Sequence, residues 1–160
     1  MNPLQKIIPE KQLSLPEYRD WIMELHDRML GVEESVERGD ELNEILPVKH
    51  TFTPFLYTRE ISMPKGQLVM SRIHLFEHPF VISKGVVSVY DGTEVVTLEA
   101  PYQGVTKAGT KRILYIHEDT VWTTFHAIDA TSIEEVEKSG VIVCDRFEEF
   151  DSIINKEIPL

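Results

Sequence analysis

The stretch from Gly66 to Gly85, GQLVMSRIHLFEHPFVISKG, decides how this chain is read. It sets Arg72, His74 and His78 between two glycines, with the intervals Gly-x5-Arg-x-His-x3-His-x6-Gly. Short apolar or alternating runs bounded by turn residues mark antiparallel strands. Pro64-Lys65-Gly66 supplies a turn before the stretch, and Asp91-Gly92 after it is a strong two-residue hairpin signal. Side chains alternate between faces along a strand. If His74 points into a barrel, Leu68, Met70 and Arg72 point there too, and His78 shares its face with Phe80 and Ile82. The result is an interior with an apolar floor and a polar band, the shape of a cup for a small ligand.

The strand texture extends outward from the quoted stretch, from about Pro47 to Ile128. Strands are expected at Phe55–Met63, Gln67–His74, Phe80–Ser83, Val86–Tyr90, Glu94–Leu98, Lys111–His117 and Val121–Ala127. Residues 1–13 read as an irregular lead-in. Ser14-Leu15-Pro16-Glu17 is a helix start with a capping box, and Tyr18, Trp21, Ile22, Leu25 and Met29 follow the helical period up to Gly31. Residues 32–45 are acidic and loop-like, with room for one helical turn. After Thr131 helical texture returns, with Ser132 capping Ile133–Lys138, a further strand at Val141–Val143 and a short helix at Phe147–Ile154. The expected fold is all-β: an antiparallel barrel with an N-terminal helix (14–30) and a helical C-terminal extension (132–160). Barrel and extensions form one domain over residues 1–160.

In 160 residues, 42% are hydrophobic, which suits a real core. The formal net charge of −11 argues against nucleic acid, which calls for a basic stripe, and against an anionic membrane surface. Cys144 is the single cysteine, in an apolar run, and reads as a buried structural thiol. One unpaired cysteine, no 18-residue apolar stretch and no secretory h-region together point to the cytoplasm.

The Gly66-to-Gly85 frame resembles the first signature of the cupin superfamily, the RmlC-like jelly-roll barrels, which runs Gly-x5-His-x-His-x3/4-Glu-x6-Gly. Arg72 stands at the first His position, His74 matches, and His78 stands at the Glu position. The second signature, Gly-x5-Pro-x-Gly-x2-His-x3-Asn, is matched at Gly109. Lys107 replaces its Pro, Arg112 its His, Ile116 its Asn and Pro101 its first Gly. Arg112, Leu114 and Ile116 share a face. The resemblance covers about residues 50–128. His74-x2-Glu77-His78-Pro79 and the run Glu118–His126 also resemble small cupins encoded by tailed phages.

The resemblance implies a metal site whose usual ligands are largely replaced. Arginine cannot deprotonate and repels a cation. Ligand binding through Arg72, His74, His78 and Arg112, with an anionic or polar small molecule and no cofactor, is therefore the first expectation. The alternative is a divalent transition metal on His74, His78 and His126, the last facing inward with Trp122 and Thr124. A cupin enzyme on a small polar substrate, metal-dependent or metal-free in the manner of epimerases, is the second functional reading. A structural or inhibitory interaction protein is the third, with Arg72 and Arg112 paired to Glu60, Glu94 or Glu99. Homodimerisation is expected, since cupin barrels often pair by sheet edges. His26, His50 and His117 read as surface residues, and Phe80, Tyr115, Trp122 and Phe125 as core.

Overall fold

The structure, a computed structural model, describes residues 2–32, 40–139 and 143–157. A 3-10 turn at Pro3–Lys6 precedes α1 (Leu15–Leu30), α2 (Asp40–Ile45), β1 (Val48–Thr53), β2 (Leu56–Met63), β3 (Leu68–Met70) and β4 (Ile73–His74). Then come β5 (His78–Tyr90), β6 (Val95–Glu99), β7 (Tyr102–Thr106), β8 (Ile113–His126), α3 (Ile133–Ser139), β9 (Val143–Cys144) and α4 (Phe147–Glu157). Of the strand expected at Val141–Val143, residues 141 and 142 lie outside the described residues, as do 33–39 of the expected acidic loop.

Two long strands organise the sheet. The first half of β5, His78–Ile82, lies between β7 and the second half of β8, which continues to β2 and β1. The second half of β5, Val86–Tyr90, lies between β6 and the first half of β8, which continues to β3. β5 and β8 thus pass from one layer to the other, and the pairing is antiparallel throughout. Their inward residues meet in one core: Met63, Phe80, Ile82 and Trp122 from one layer, Val87, Val89, Leu114 and Ile116 from the other. This is an all-β, antiparallel jelly-roll barrel with helices at its termini.

Four expected strands are two continuous ones. Val86–Tyr90 joins Phe80–Ser83, and Lys111–His117 joins Val121–Ala127, because the register slips between Ile82 and Val87 without breaking the pairing. Gly85 makes the slip possible. Its φ is +100°, and a Cβ there would lie 2.5 Å from the Asp119 carbonyl oxygen and 2.3 Å from Thr120 Oγ1. Only a residue without a side chain lets the two strands approach that closely.

A second core lies on the opposite face of the sheet. Tyr90, Ile113, Ile73 and Leu75 pack there against Tyr18 and Ile22 of α1, Phe147 and Phe150 of α4, and Leu4. The α1 cap forms as expected: Ser14 Oγ accepts from Glu17 N at 3.3 Å, and Glu17 Oε1 accepts from Ser14 N at 3.1 Å. Tyr18 donates its hydroxyl to the Lys111 carbonyl at 2.6 Å, which pins α1 to the start of β8. The lead-in is less irregular than expected, since Leu4 is fully buried. β1 and β7 were not anticipated: both are edge strands with exposed polar or mixed residues and no clear alternation.

Gly85→Ala should lower stability by about 2–5 kcal/mol, through an unfavourable positive φ and a backbone clash. Chemical denaturation of the purified variant measures this, and an unchanged midpoint would show that the β5–β8 contact is looser than described.

Candidate functional site

His78 opens β5 and His126 closes β8, so antiparallel pairing brings both to the same end of the barrel. β4 lays His74 beside them. The His74–His78 and His78–His126 ring centroids are 4.5 Å apart, and His74–His126 are 6.5 Å apart. Arg112, one residue before β8, reaches over the rings of Trp122 at 5.4 Å and Phe80 at 5.8 Å, and its Nη2 donates to Thr106 Oγ1 at 3.0 Å. Gly104 leaves the space Phe80 occupies, since a Cβ there would come within 2.7 Å of its ring. The structure therefore brings together His74, His78, His126 and Arg112.

Arg72 is not with them. It is exposed, and its Nε donates to Asp145 Oδ1 at 3.0 Å, at the rim of the barrel. The parity argument fails because the strand breaks at Ser71-Arg72. Ser71 N donates to the Arg112 carbonyl, Ser71 Oγ accepts from Arg112 N at 2.8 Å, and the Ser71 carbonyl accepts from Lys111 Nζ at 2.8 Å. The break resets the alternation. Val69 packs in the barrel core and Met70 in the outer one, while Leu68 is 38% exposed, so Leu68 and Met70 do not share the inner face with His74. Nor does Arg72 pair with Glu60, Glu94 or Glu99; Glu94 and Glu99 are exposed.

A second arginine enters from an element where none was expected. In β2, Tyr57, Arg59, Ile61 and Met63 share the inward face, opposite His126, Thr124, Trp122 and Thr120 of β8. Three of the four are apolar or aromatic, so strand alternation alone could have identified Arg59. Among the described residues neither Arg59 nor Arg112 forms an ion pair with a carboxylate, and Arg112 Nε, His74 Nδ1 and His78 Nε2 are buried without a hydrogen-bond partner. Asp91 is the acid whose charge Arg112 feels from a distance.

Burial governs the histidines, and the surrounding charge adds to it. Burial, followed by His78, Arg112, His126 and Arg59, drives His74 down to about 2. Burial, then His78 and Arg59, takes His126 to about 4. His78 is lowered mainly by burial and then by Arg112, against the pull of its bond to the Phe76 carbonyl. All three imidazoles are neutral at physiological pH. A carbonyl only accepts, so His78 Nδ1, 3.0 Å from the Phe76 oxygen, carries the proton and Nε2 bears a lone pair.

The trio is not arranged as a tetrahedral metal site. Two imidazoles on one ion, at the usual metal–nitrogen distance, place their ring centroids about 5 Å apart at a tetrahedral angle. His74 and His126, at 6.5 Å, are wider apart than that, and the other two pairs, at 4.5 Å, are closer. Among the described residues no group of three or more His, Cys, Asp or Glu side chains is arranged to hold a metal ion.

The outer face carries a different arrangement. His117, expected at the surface, is half-buried, with Nε2 2.6 Å from Ser88 Oγ, which also accepts from Asn2 Nδ2 at 2.6 Å. An open depression of about 640 Å³ lies there, lined by Asn2, Pro3, Val86, Thr97, Tyr115 and His117. Ser88 itself is fully buried, so the cluster ties the N-terminal segment to the barrel. His50 is exposed, 2.7 Å from the Tyr57 hydroxyl. Cys144 is buried, and burial raises its thiol to about 11.

No protein-family profile and no curated protein matches the sequence. Among solved structures the chain is similar to KdgF from Halomonas sp. at 15% identity and a TM-score of 0.47, over 61% of this chain and 93% of that one. It is similar to an RmlC-like cupin family protein from Methanocaldococcus jannaschii at 14% and 0.46, over 62% and 94%. Similarity to an acetylacetone dioxygenase from Acinetobacter johnsonii is 17% and 0.43, over 60% and 74%. The barrel assignment rests on the strand pairing described above. Among the described residues no helix is long and apolar enough to cross a membrane.

Two outcomes follow from the site. Protein purified without a poly-His tag or added metal should contain clearly substoichiometric transition metal by elemental analysis; a stoichiometric metal lost in His78→Ala would reverse this. The second concerns pH. A histidine whose folded pKa lies below its unfolded value of about 6.5 leaves the unfolded chain binding more protons between the two values. Stability is therefore full above pH 6.5 and falls as the pH drops from there through about 4 for His126, and further for His74. Denaturation at pH 7 and pH 5 should show a loss of at most about 2 kcal/mol per histidine, reduced in His126→Gln.

Proposed function

We propose that the protein binds a small anionic or strongly polar molecule inside the barrel, with Arg112 and Arg59 as its anchors. The observation that supports this is two guanidinium groups turned into the barrel with no carboxylate in ion-pair contact among the described residues. Removing a cation from water costs several kcal/mol, and the return comes only from an acceptor. Arg72 obtains one from Asp145. Arg112 has Thr106 and two aromatic faces, which orient it without neutralising it. A carboxylate or phosphate oxygen supplies what is missing, and a guanidinium offers it forked donors.

The test separates binding from stability. A thermal-shift panel of phosphate, small carboxylates and sugar phosphates should contain compounds that raise the melting temperature, since a ligand selective for the folded state stabilises it by mass action. Arg112→Met and Arg59→Met should abolish the rise. Without ligand, Arg112→Met should be as stable as the parent or up to about 2 kcal/mol more stable, because a desolvated charge with no anionic partner is gone. No stabilising compound, together with marked destabilisation by Arg112→Met, would mean that the arginines are structural.

A further inference from the structure

We infer that the anion carries a hydroxyl group, and that His78 Nε2 is the atom that selects it. This deepens the reading of the barrel as an anion cup and depends on it. The geometry begins at the Phe76 carbonyl, which holds His78 Nδ1–H at 3.0 Å and leaves Nε2 as an acceptor. Nε2 is buried and has no partner, and the ring lies 4.5 Å, centroid to centroid, from both His74 and His126.

Among the described residues none donates a hydrogen bond to it. His126 Nε2 is 2.8 Å from Thr124 Oγ1, and that hydroxyl lies 3.5 Å from the Arg59 carbonyl. The cup thus offers two unlike surfaces. Arg59 and Arg112 donate only, and His78 Nε2 accepts only. A bare anion such as acetate satisfies the first and leaves the second unpaired. A molecule with an anionic oxygen and a nearby O–H satisfies both. Sites built to hydrogen-bond a ligand hydroxyl reject analogues lacking it, because a buried acceptor then loses its partner. The burial-driven neutrality of the three imidazoles agrees with this, since a protonated ring would offer no lone pair.

The anionic oxygen belongs to a carboxylate or a phosphate, and matched pairs distinguish them. Titration calorimetry at pH 7.5 compares glycolate with acetate, and glycerol 2-phosphate with ethyl phosphate, on the wild-type chain. The hydroxylated member of the preferred pair should bind at least about tenfold tighter. In parallel, the imidazole ¹⁵N spectrum of the wild-type protein should show His78 Nε2 shifting toward its hydrogen-bonded value with the hydroxylated compound and not with its partner. His78→Phe, which keeps a ring in the same place, should equalise the pair while retaining the weaker affinity. Equal affinity within both pairs, with no ¹⁵N response, overturns the hydroxyl inference and leaves the anion cup standing. Absence of binding by all four compounds, and by the wider anion panel, overturns both.

Discussion

The pairing of His78–Tyr90 with Ile113–His126 is the constraint on which the remaining structure depends. Both strands are long enough to serve two layers, and each layer is completed by attaching shorter strands to their free edges. The register slip at Gly85 turns the pair from one layer into the other, so that Trp122 and Phe80 face Val87 and Leu114 across a shared core. The same pairing fixes the site. β5 begins where β8 ends, which places His78 and His126 at one end of the barrel without any separate device to hold them there.

Below that end the core is apolar, and this decides the electrostatics of the site. At an effective dielectric constant near 20, two like charges at a separation on the order of 6 Å repel by about 3 kcal/mol, equivalent to about two pKa units. Burial is the larger cause, and this repulsion adds to it. Arg59 and Arg112 stay protonated because guanidinium has no accessible neutral form, so the neighbouring imidazoles give up their protons instead. The polar band is therefore a fixed positive charge surrounded by neutral acceptors.

Much of the barrel was legible in sequence because alternation is a local signal. Phe80 and Ile82, Leu114 and Ile116, and Trp122, Thr124 and His126 all take the faces their spacing implies. The capping box at Ser14 was equally readable. What escaped was non-local. The break at Ser71-Arg72 is made by Lys111 and Arg112, some forty residues away, and no pattern within the Gly66-to-Gly85 stretch announces it. Edge strands β1 and β7 lack alternation because little of either is buried on either face. Arg59 is a different case. Its alternation with Tyr57, Ile61 and Met63 was visible, but a charged residue in an apolar run reads first as an exposed one.

Arg72 and Arg112 show how two arginines at matching positions of a motif come to differ. Both belong to the same crossing, where Ser71 bonds the backbone of Arg112 and the side chain of Lys111. The Lys111 ammonium is almost fully buried, and burial lowers it to about 8, with Asp145 acting in the opposite direction. Its presence against the Ser71 carbonyl deflects the chain just before Arg72. That deflection turns Arg72 toward Asp145, which follows β9, and β9 is placed by pairing with β4. The C-terminal segment thus provides the carboxylate that keeps Arg72 at the rim. Arg112 has no such segment beside it and enters the barrel. One arginine is satisfied by the protein's own chain and closes the fold, while the other is oriented by Thr106, Phe80 and Trp122 and retains unused donors.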